Sequence, residues 1–207
     1  MLDRPIRTLL ERIAAPAAGA TIDLESIATA LVDLAADTDY LAGWVARLGE
    51  PGALAIHAPD RGPRLILVHR TTGQMSAVHD HGTWVAITPI SGQETHRRYR
   101  LTGGPAADAL KLEQEIALTP THAATLLPPD DIHDHGHLVG HGSAAHILVL
   151  TGDDQTRFIR TEWDLATGRH RILRPGDGGR WLASQPIPVD LDDGTGETRT
   201  TGRPREG

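Results

Sequence analysis

Two histidines separated by one residue, His79 and His81, are the residues whose type and spacing most directly suggest chemistry. Side chains at positions i and i+2 of a β-strand project from the same face, so an extended segment here presents two imidazoles together. Neutral imidazoles bind transition metals, and two of them on one rigid surface provide half of a metal site. The simpler alternative is a polar turn that binds no metal.

A second histidine run follows at His133, His135 and His137, and it can supply a third ligand. If this segment is also extended, the three side chains share one face, so spacing alone leaves the choice of third ligand open. For His135, His137 and the nearby His141, a solvated loop is the expectation that we favour over metal binding.

Composition limits what this chain can do. It has 207 residues, a formal net charge of −7 and no cysteine. The acidic balance argues against a nucleic-acid or anionic-membrane surface, and the lack of cysteine excludes disulfides, thiolate ligands and a cysteine nucleophile. Without a long apolar run or a signal peptide's apolar core, we expect a cytoplasmic protein. Its expected partner is a small-molecule substrate, with no nucleic acid or membrane, and oligomerisation is left open.

Apolar residues recur at helical spacing three times near the start of the chain, in residues 6–13, 24–34 and 40–48. This periodicity predicts three amphipathic helices. Thr21 or Asp23 is suited to cap the second of them.

Beyond about residue 54 the apolar period changes from helical spacing to two, which is typical of strands. Ten short strands without intervening helices predict an all-β sandwich or barrel. The predicted strands are residues 64–69, 77–80, 84–90, 95–101, 110–118, 123–127, 132–139, 144–150, 158–163 and 169–173.

We therefore expect three regions along the chain. Residues 1–52 form a helical segment that packs on a barrel, and residues 53–175 form the barrel itself. Residues 176–207 form an extension that is rich in Gly, Asp and Thr, so we expect its end to be disordered.

Two motifs in the strand-rich region resemble those of a known superfamily. Gly73-x5-His79-x-His81, followed by Gly92, resembles the first cupin motif, and the run Pro-Pro-Asp-Asp-Ile-His that ends at His133 resembles the second. The second motif usually has glycine where this chain has an aspartate, which tolerates a similar turn conformation. The resemblance covers roughly residues 54–163. It implies a double-stranded β-helix (jelly-roll) barrel with the N-terminal helices outside it.

Within the cupins, His-Asp-His-Gly-x-Trp followed by a late histidine resembles the cysteine dioxygenase-type thiol dioxygenases. The resemblance implies Fe(II) bound by His79, His81 and His133, with O2 as co-substrate; Ni, Mn or Zn are the alternative metals. The motif alignment favours His133 over its neighbours as third ligand. The glutamate usual in the first motif is replaced by Val85 or Ala86, and its loss is the hallmark of the three-histidine thiol dioxygenases.

The resemblance also implies residues around the metal. A Ser-x-His-x-Tyr strand of the family matches residues 144–148, which makes His146 a candidate catalytic residue and puts Leu148 in place of the phenol. The family binds the substrate carboxylate through an arginine, for which Arg61 and Arg64 are the nearest candidates. Tyr99 follows the first motif and is a further substrate-binding candidate. The remaining arginines that we considered, most of them expected to be solvated, are Arg70, Arg97, Arg98, Arg100 and Arg160.

The predicted function is thus an Fe(II)- and O2-dependent oxygenase acting on a small thiol such as L-cysteine. Because Leu148 replaces a hydrogen-bond donor, we expect a product other than a sulfinate, for example through sulfonamide-type chemistry in natural product biosynthesis. One alternative is a cupin enzyme with Ni, Mn or Zn acting on a non-thiol substrate. The other is a non-catalytic cupin that binds a small molecule.

Overall fold

A computed structural model describes residues 2–13, 21–103, 109–138, 140 and 142–175, so the predicted extension and His141 lie outside the described residues. Within these ranges three helices precede the strands: α1 Arg4–Arg12, α2 Leu24–Ala35 and α3 Thr38–Leu48. The strands are β1 Gly52–His57, β2 Arg64–Thr71, β3 Gln74–Met75, β4 Val78–His79, β5 Val85–Ser91, β6 Glu94–Leu101, β7 Leu110–Leu118, β8 Ala124–Leu126, β9 His133–His137, β10 Ala144–Thr151, β11 Arg160–Asp164 and β12 Arg169–Leu173.

The helices begin where aspartates can cap them. The carboxylate of Asp23 accepts a hydrogen bond from the Ser26 backbone N–H at 3.0 Å, so Asp23 is the residue that caps α2. Asp37 caps α3 in the same way, through the Tyr40 backbone N–H at 3.1 Å. Among the described residues, no helix is long and apolar enough to cross a membrane.

The strands form two antiparallel sheets. One has the order β1-β2-β10-β5-β8, and the other has the order β12-β11-β4-β9-β6-β7, with β3 beside β9. The orders β2-β10-β5-β8 and β4-β9-β6-β7 are those of a jelly roll, in which strands distant in sequence pair across the barrel. The predicted fold class, a double-stranded β-helix with N-terminal helices, is confirmed. The strand prediction missed β1 and the two-residue β3.

The five-stranded sheet buries both of its faces, because the helices cover the outer one. Alternate side chains of β2 and β10 therefore enter different cores. The residues of these strands that pack with the helices are Leu65, Leu67, Leu148 and Leu150. Those that pack inside the barrel are Ile66, Val68, Ala145, Ile147 and Val149.

The same alternation divides β9, whose five residues are all buried. His133, His135 and His137 share the face that points into the barrel, while Asp134 and Gly136 share the opposite face. On that outer face, the Arg97 side chain donates two hydrogen bonds to the Asp134 carboxylate, at 2.8 and 2.6 Å. The buried charge of Asp134 is therefore neutralised by a bidentate ion pair.

Gly136 lies in β9 directly opposite Met75, where the short strand β3 pairs closely with β9. A Cβ atom built at Gly136 would lie 2.1 Å from the Gln74 carbonyl oxygen, whereas one at Gly43 in α3 would meet nothing within 4 Å. We predict that Gly136→Ala lowers the free energy of unfolding by about 2 kcal/mol or more, because backbone must move. Gly43→Ala should raise it by about 0.5–1 kcal/mol through helix propensity. Urea denaturation of both variants measures this; equal stabilities would contradict the close packing of β3 on β9.

Candidate metal centre

Five imidazoles gather inside the barrel, contributed by β4, the turn after it, β6 and β9. The ring centroid of His133 lies 4.5 Å from that of His79, 4.8 Å from His81, 5.0 Å from His96 and 5.4 Å from His135. His133 and His96 are fully buried, at 0% exposure. Such a density of buried polar rings needs a compensating ligand or hydrogen bonds.

Strand pairing brings these residues together. β9 lies between β4 and β6, so that His79 is the direct partner of His133 and His96 is the direct partner of His135. Because β9 presents alternate residues inward, both of its pairing partners deliver an imidazole to the same interior space.

Two of the rings are oriented by backbone carbonyl groups. The His79 Nδ1–H donates to the Ala77 carbonyl oxygen at 2.8 Å, and the His133 Nδ1–H donates to the Asp131 carbonyl oxygen at 2.9 Å. A carbonyl can only accept, so Nδ1 carries the proton and Nε2 presents its lone pair. This arrangement, in which the outer nitrogen is hydrogen-bonded and the inner one is free, is usual for metal-binding histidines.

His135 is oriented by a carboxylate instead. Its Nδ1 lies 2.5 Å from Glu94 Oε1, and Glu94 is fully buried, which raises the pKa of its carboxyl to about 7. When Nδ1–H donates to the carboxylate, His135 also presents Nε2 to the interior. Each of His79, His133 and His135 offers a ligand atom, and these three atoms lie within 4.8 Å of one another.

His81 is held by its backbone. Its N–H donates to Asp131 Oδ2 at 2.8 Å, and the following Gly82 N–H donates to the same oxygen at 3.2 Å. His81 Nε2 lies 3.4 Å from His133 Nε2. Two nitrogens each about 2.1 Å from one ion are about 3.0–3.4 Å apart, so this spacing suits two ligands of one metal.

Burial keeps these imidazoles uncharged. It lowers the pKa of His79 to about 3 and that of His81, His133 and His135 well below the usual value, with mutual repulsion or the charge of Arg70 adding to the effect. At neutral pH no proton competes for the ring nitrogens. The donor set therefore fits a divalent transition metal.

The structure brings the predicted ligands His79, His81 and His133 together and adds His135 to them. The expectation of a solvated loop was wrong for His135 and His137, which are 5% and 0% exposed. The reason is that β9 extends through His137 and keeps its alternation. The aspartate that organises both His81 and His133, Asp131, was missed in the sequence, although an acid directly before a buried strand is a usable signal.

His146 does not face the metal centre. It lies on the helix-facing side of β10, with its ring stacked on that of His69 at 4.5 Å and its Nδ1 3.0 Å from Ser91 Oγ. Leu148 points the same way, into the core beneath the helices. The prediction that His146 lines the pocket was wrong, because the alternation of β10 turns Ala145 and Ile147 into the barrel and His146 and Leu148 away from it.

The predicted substrate-binding residues also lie elsewhere. Arg61 is exposed, and Arg64 forms an ion pair with Asp154 at 2.5 Å. The Tyr99 hydroxyl donates to Asp134 Oδ2 at 3.2 Å on the outer face of its sheet. The structure brings none of these three residues into contact with the histidine cluster. Arg61 is exposed, and Arg64 and Tyr99 are bonded to aspartates elsewhere in the barrel.

Arg70, one of the further arginines named from the sequence, lies beside the histidine cluster. It continues the inward series of Ile66 and Val68 on β2. Burial raises the pKa of Glu94 and the charge of Arg70 offsets part of that rise, whereas at His135 the same charge adds to the lowering of the pKa by burial. Its Nε is buried without a hydrogen-bond partner. Arg70 is therefore the one of the further arginine candidates that the structure places beside both Glu94 and His135.

Several solved structures are similar to about half of this chain. No family model and no curated protein matches the chain. Among solved structures, a cupin superfamily protein from Desulfitobacterium hafniense is 14% identical over 51% of this chain and 80% of its own, with a TM-score of 0.38. An RmlC-like cupin with a double-stranded β-helix fold from Methanocaldococcus jannaschii is 7% identical, covering 52% and 85%, with a TM-score of 0.37. A structure described as DMSP lyases is 14% identical, covering 53% and 50%, with a TM-score of 0.39.

We predict that His133→Ala lowers the metal content of the purified protein by about ten-fold or more, because it removes the central ligand. His146→Ala is the matched control, since that ring lies outside the barrel and should leave the metal content unchanged. Elemental analysis of both proteins, after a thermal melt to verify folding, decides the matter. Full metal in His133→Ala would contradict the assignment of His133 as a ligand, and loss of metal in His146→Ala would contradict the assignment of the faces of β10.

Proposed function

We propose that this chain is an Fe(II)- and O2-dependent oxygenase that acts on a small thiol such as L-cysteine. The observation that carries the proposal is the buried, uncharged set of imidazoles, in which the outer nitrogens of His79, His133 and His135 are already hydrogen-bonded. Val85, at the position of the first-motif glutamate, packs in the apolar interior core, so that position provides no carboxylate.

A neutral ligand set favours an anionic substrate. Because the imidazoles add no negative charge, a divalent ion held by them keeps its full charge and attracts a thiolate. Bound Fe(II) would supply the redox chemistry that allows O2 to react with the thiolate sulfur. The protein's contribution is to hold the imidazoles in place and to exclude bulk water from the interior.

The interior also contains charges suited to an amino acid. Arg70 and Glu94 both face the histidine cluster, and each has a buried polar atom without a partner: Nε of Arg70 and Oε2 of Glu94. A guanidinium binds a carboxylate through two parallel hydrogen bonds, and a carboxylate binds an ammonium group. These two side chains would orient the carboxylate and ammonium groups of cysteine while its sulfur is directed toward the metal centre.

The product is inferred from what the interior lacks. The chain has two tyrosines, of which Tyr40 lies in α3 and Tyr99 on the outer face of β6. The interior face of β10 presents Ala145 and Ile147, which are apolar. Because this interior provides no phenol as a hydrogen-bond donor beside the histidine cluster, we propose a product other than the sulfinate.

Glu94 favours one alternative function. A buried carboxyl whose pKa is about 7 is suited to general acid–base catalysis at neutral pH. With Ni, Mn or Zn in place of iron, the same interior would then act on a non-thiol substrate, with Glu94 moving a proton. This alternative predicts turnover without consumption of O2.

We predict that the iron-loaded protein consumes O2 when cysteine is added. Arg70→Met should raise KM for cysteine by about 10–100-fold, because it removes one charge-assisted bidentate interaction with the carboxylate. Cysteamine, which lacks the carboxylate, should show no such increase. Arg64→Met is the matched control, since Arg64 is paired with Asp154 instead.

An oxygen electrode with cysteine, cysteamine and 3-mercaptopropionate, followed by mass spectrometry of the products, tests the proposal. No thiol-dependent uptake would contradict the proposed activity. Cysteine sulfinate as the sole product would contradict the inference about the missing phenol.

A further inference from the structure

We propose that the metal is held by four imidazoles, those of His79, His81, His133 and His135, and not by three. This inference rests on the metal-binding part of the proposed function and is independent of the thiol chemistry. It assigns His135 as a ligand in addition to the three residues that the cupin motifs contain.

The first argument is that two sets of three histidines overlap: His79, His133 and His135 form one, and His79, His81 and His133 form the other. The ligand atoms of His79, His133 and His135 lie within 4.8 Å of one another. His81 joins the same centre, because its ring centroid lies 4.6 Å from that of His79 and 4.8 Å from that of His133. His79 and His133 neighbour both His81 and His135, so one ion bound by the inner nitrogens of His79 and His133 would lie beside the other two rings.

The contact between His81 and His133 gives the second argument. Since His133 donates its Nδ1–H to the Asp131 carbonyl, its Nε2 has only a lone pair, so His81 either donates to it or shares a metal with it. A head-on N–H···N bond at the observed 3.4 Å would hold the ring centroids about 5.7 Å apart. They are 4.8 Å apart with the ring planes 17° from parallel, so the contact is not a head-on hydrogen bond. Two ligands of one ion also bring their ring centroids closer together than a head-on contact does, because both rings point at the metal.

The strand arrangement gives the third argument. His79 and His81 form one His-x-His pair, His133 and His135 form another, and the two pairs are carried by neighbouring strands in which His79 pairs directly with His133. In the second pair, His135 occupies the side of the centre where Glu94 anchors its Nδ1. The carboxylate thus acts on the metal through an imidazole, since its Oε1 is already bound to that ring.

Titration of the metal-free protein with Co(II), followed through the visible absorption of the bound ion, tests the number of imidazole ligands without a substrate. We expect His81→Ala and His135→Ala each to weaken Co(II) binding about ten-fold or more and to change the absorption bands, because each removes a ligand. The control is His137→Ala: the ring nitrogens of His137 already face the carbonyl oxygens of Gln93 and Gly142, at 2.7 and 3.0 Å, so binding should be unchanged.

Zinc X-ray absorption of the unaltered protein provides a second count that needs no variant, in case a substitution prevents folding. Four imidazole nitrogens are expected. Three imidazoles, or wild-type Co(II) affinity and spectrum in either His81→Ala or His135→Ala, would overturn the proposal. The absence of thiol turnover would overturn the proposed function but leave this count unaffected, so the two failures are distinguishable.

Discussion

The alternation of β9 is the constraint on which the rest of the site depends. Its inner face presents three histidines at alternate positions. Its outer face has to accommodate a buried aspartate and the close approach of β3. The buried aspartate is accommodated because Arg97 pairs with Asp134, and the close strand is accommodated because Gly136 has no side chain to collide with β3. With the outer face fixed in this way, β9 cannot slip by one residue, so its imidazoles are held inside the barrel.

The barrel interior is apolar on the side of one sheet and polar on the side of the other. The five-stranded sheet contributes an apolar core, while the opposite sheet contributes the histidines and Glu94. Uncharged imidazoles are costly to bury when an inner ring nitrogen has a lone pair that no donor satisfies. A metal ion repays this cost by engaging the free nitrogens, so that metal binding and barrel stability are coupled. Arg70, from the five-stranded sheet, adds a cation to this interior beside the Glu94 carboxylate.

Much of the architecture was predictable from sequence, because period-two patterning and the spacing of His79, His81 and His133 report strand faces directly. The face of β10 was not predictable in this way. Residues 144–150 are apolar on both sides, since one side meets the barrel interior and the other meets the helices, so their pattern does not identify which side is which. The family register was then the guide for His146, and it indicated the wrong side. Arg70 was obscured for the same reason, because the β2 residues before it are apolar on both faces.

The central claim is that the buried histidine cluster is a metal centre. Crystals of the protein loaded with one equivalent of zinc, measured on both sides of the zinc absorption edge, locate the ion directly. The account predicts a single anomalous peak inside the barrel, bounded by Nε2 atoms of the His79, His81, His133 and His135 rings. A barrel interior without a peak, with zinc bound instead at the outer pair His69 and His146, would contradict it.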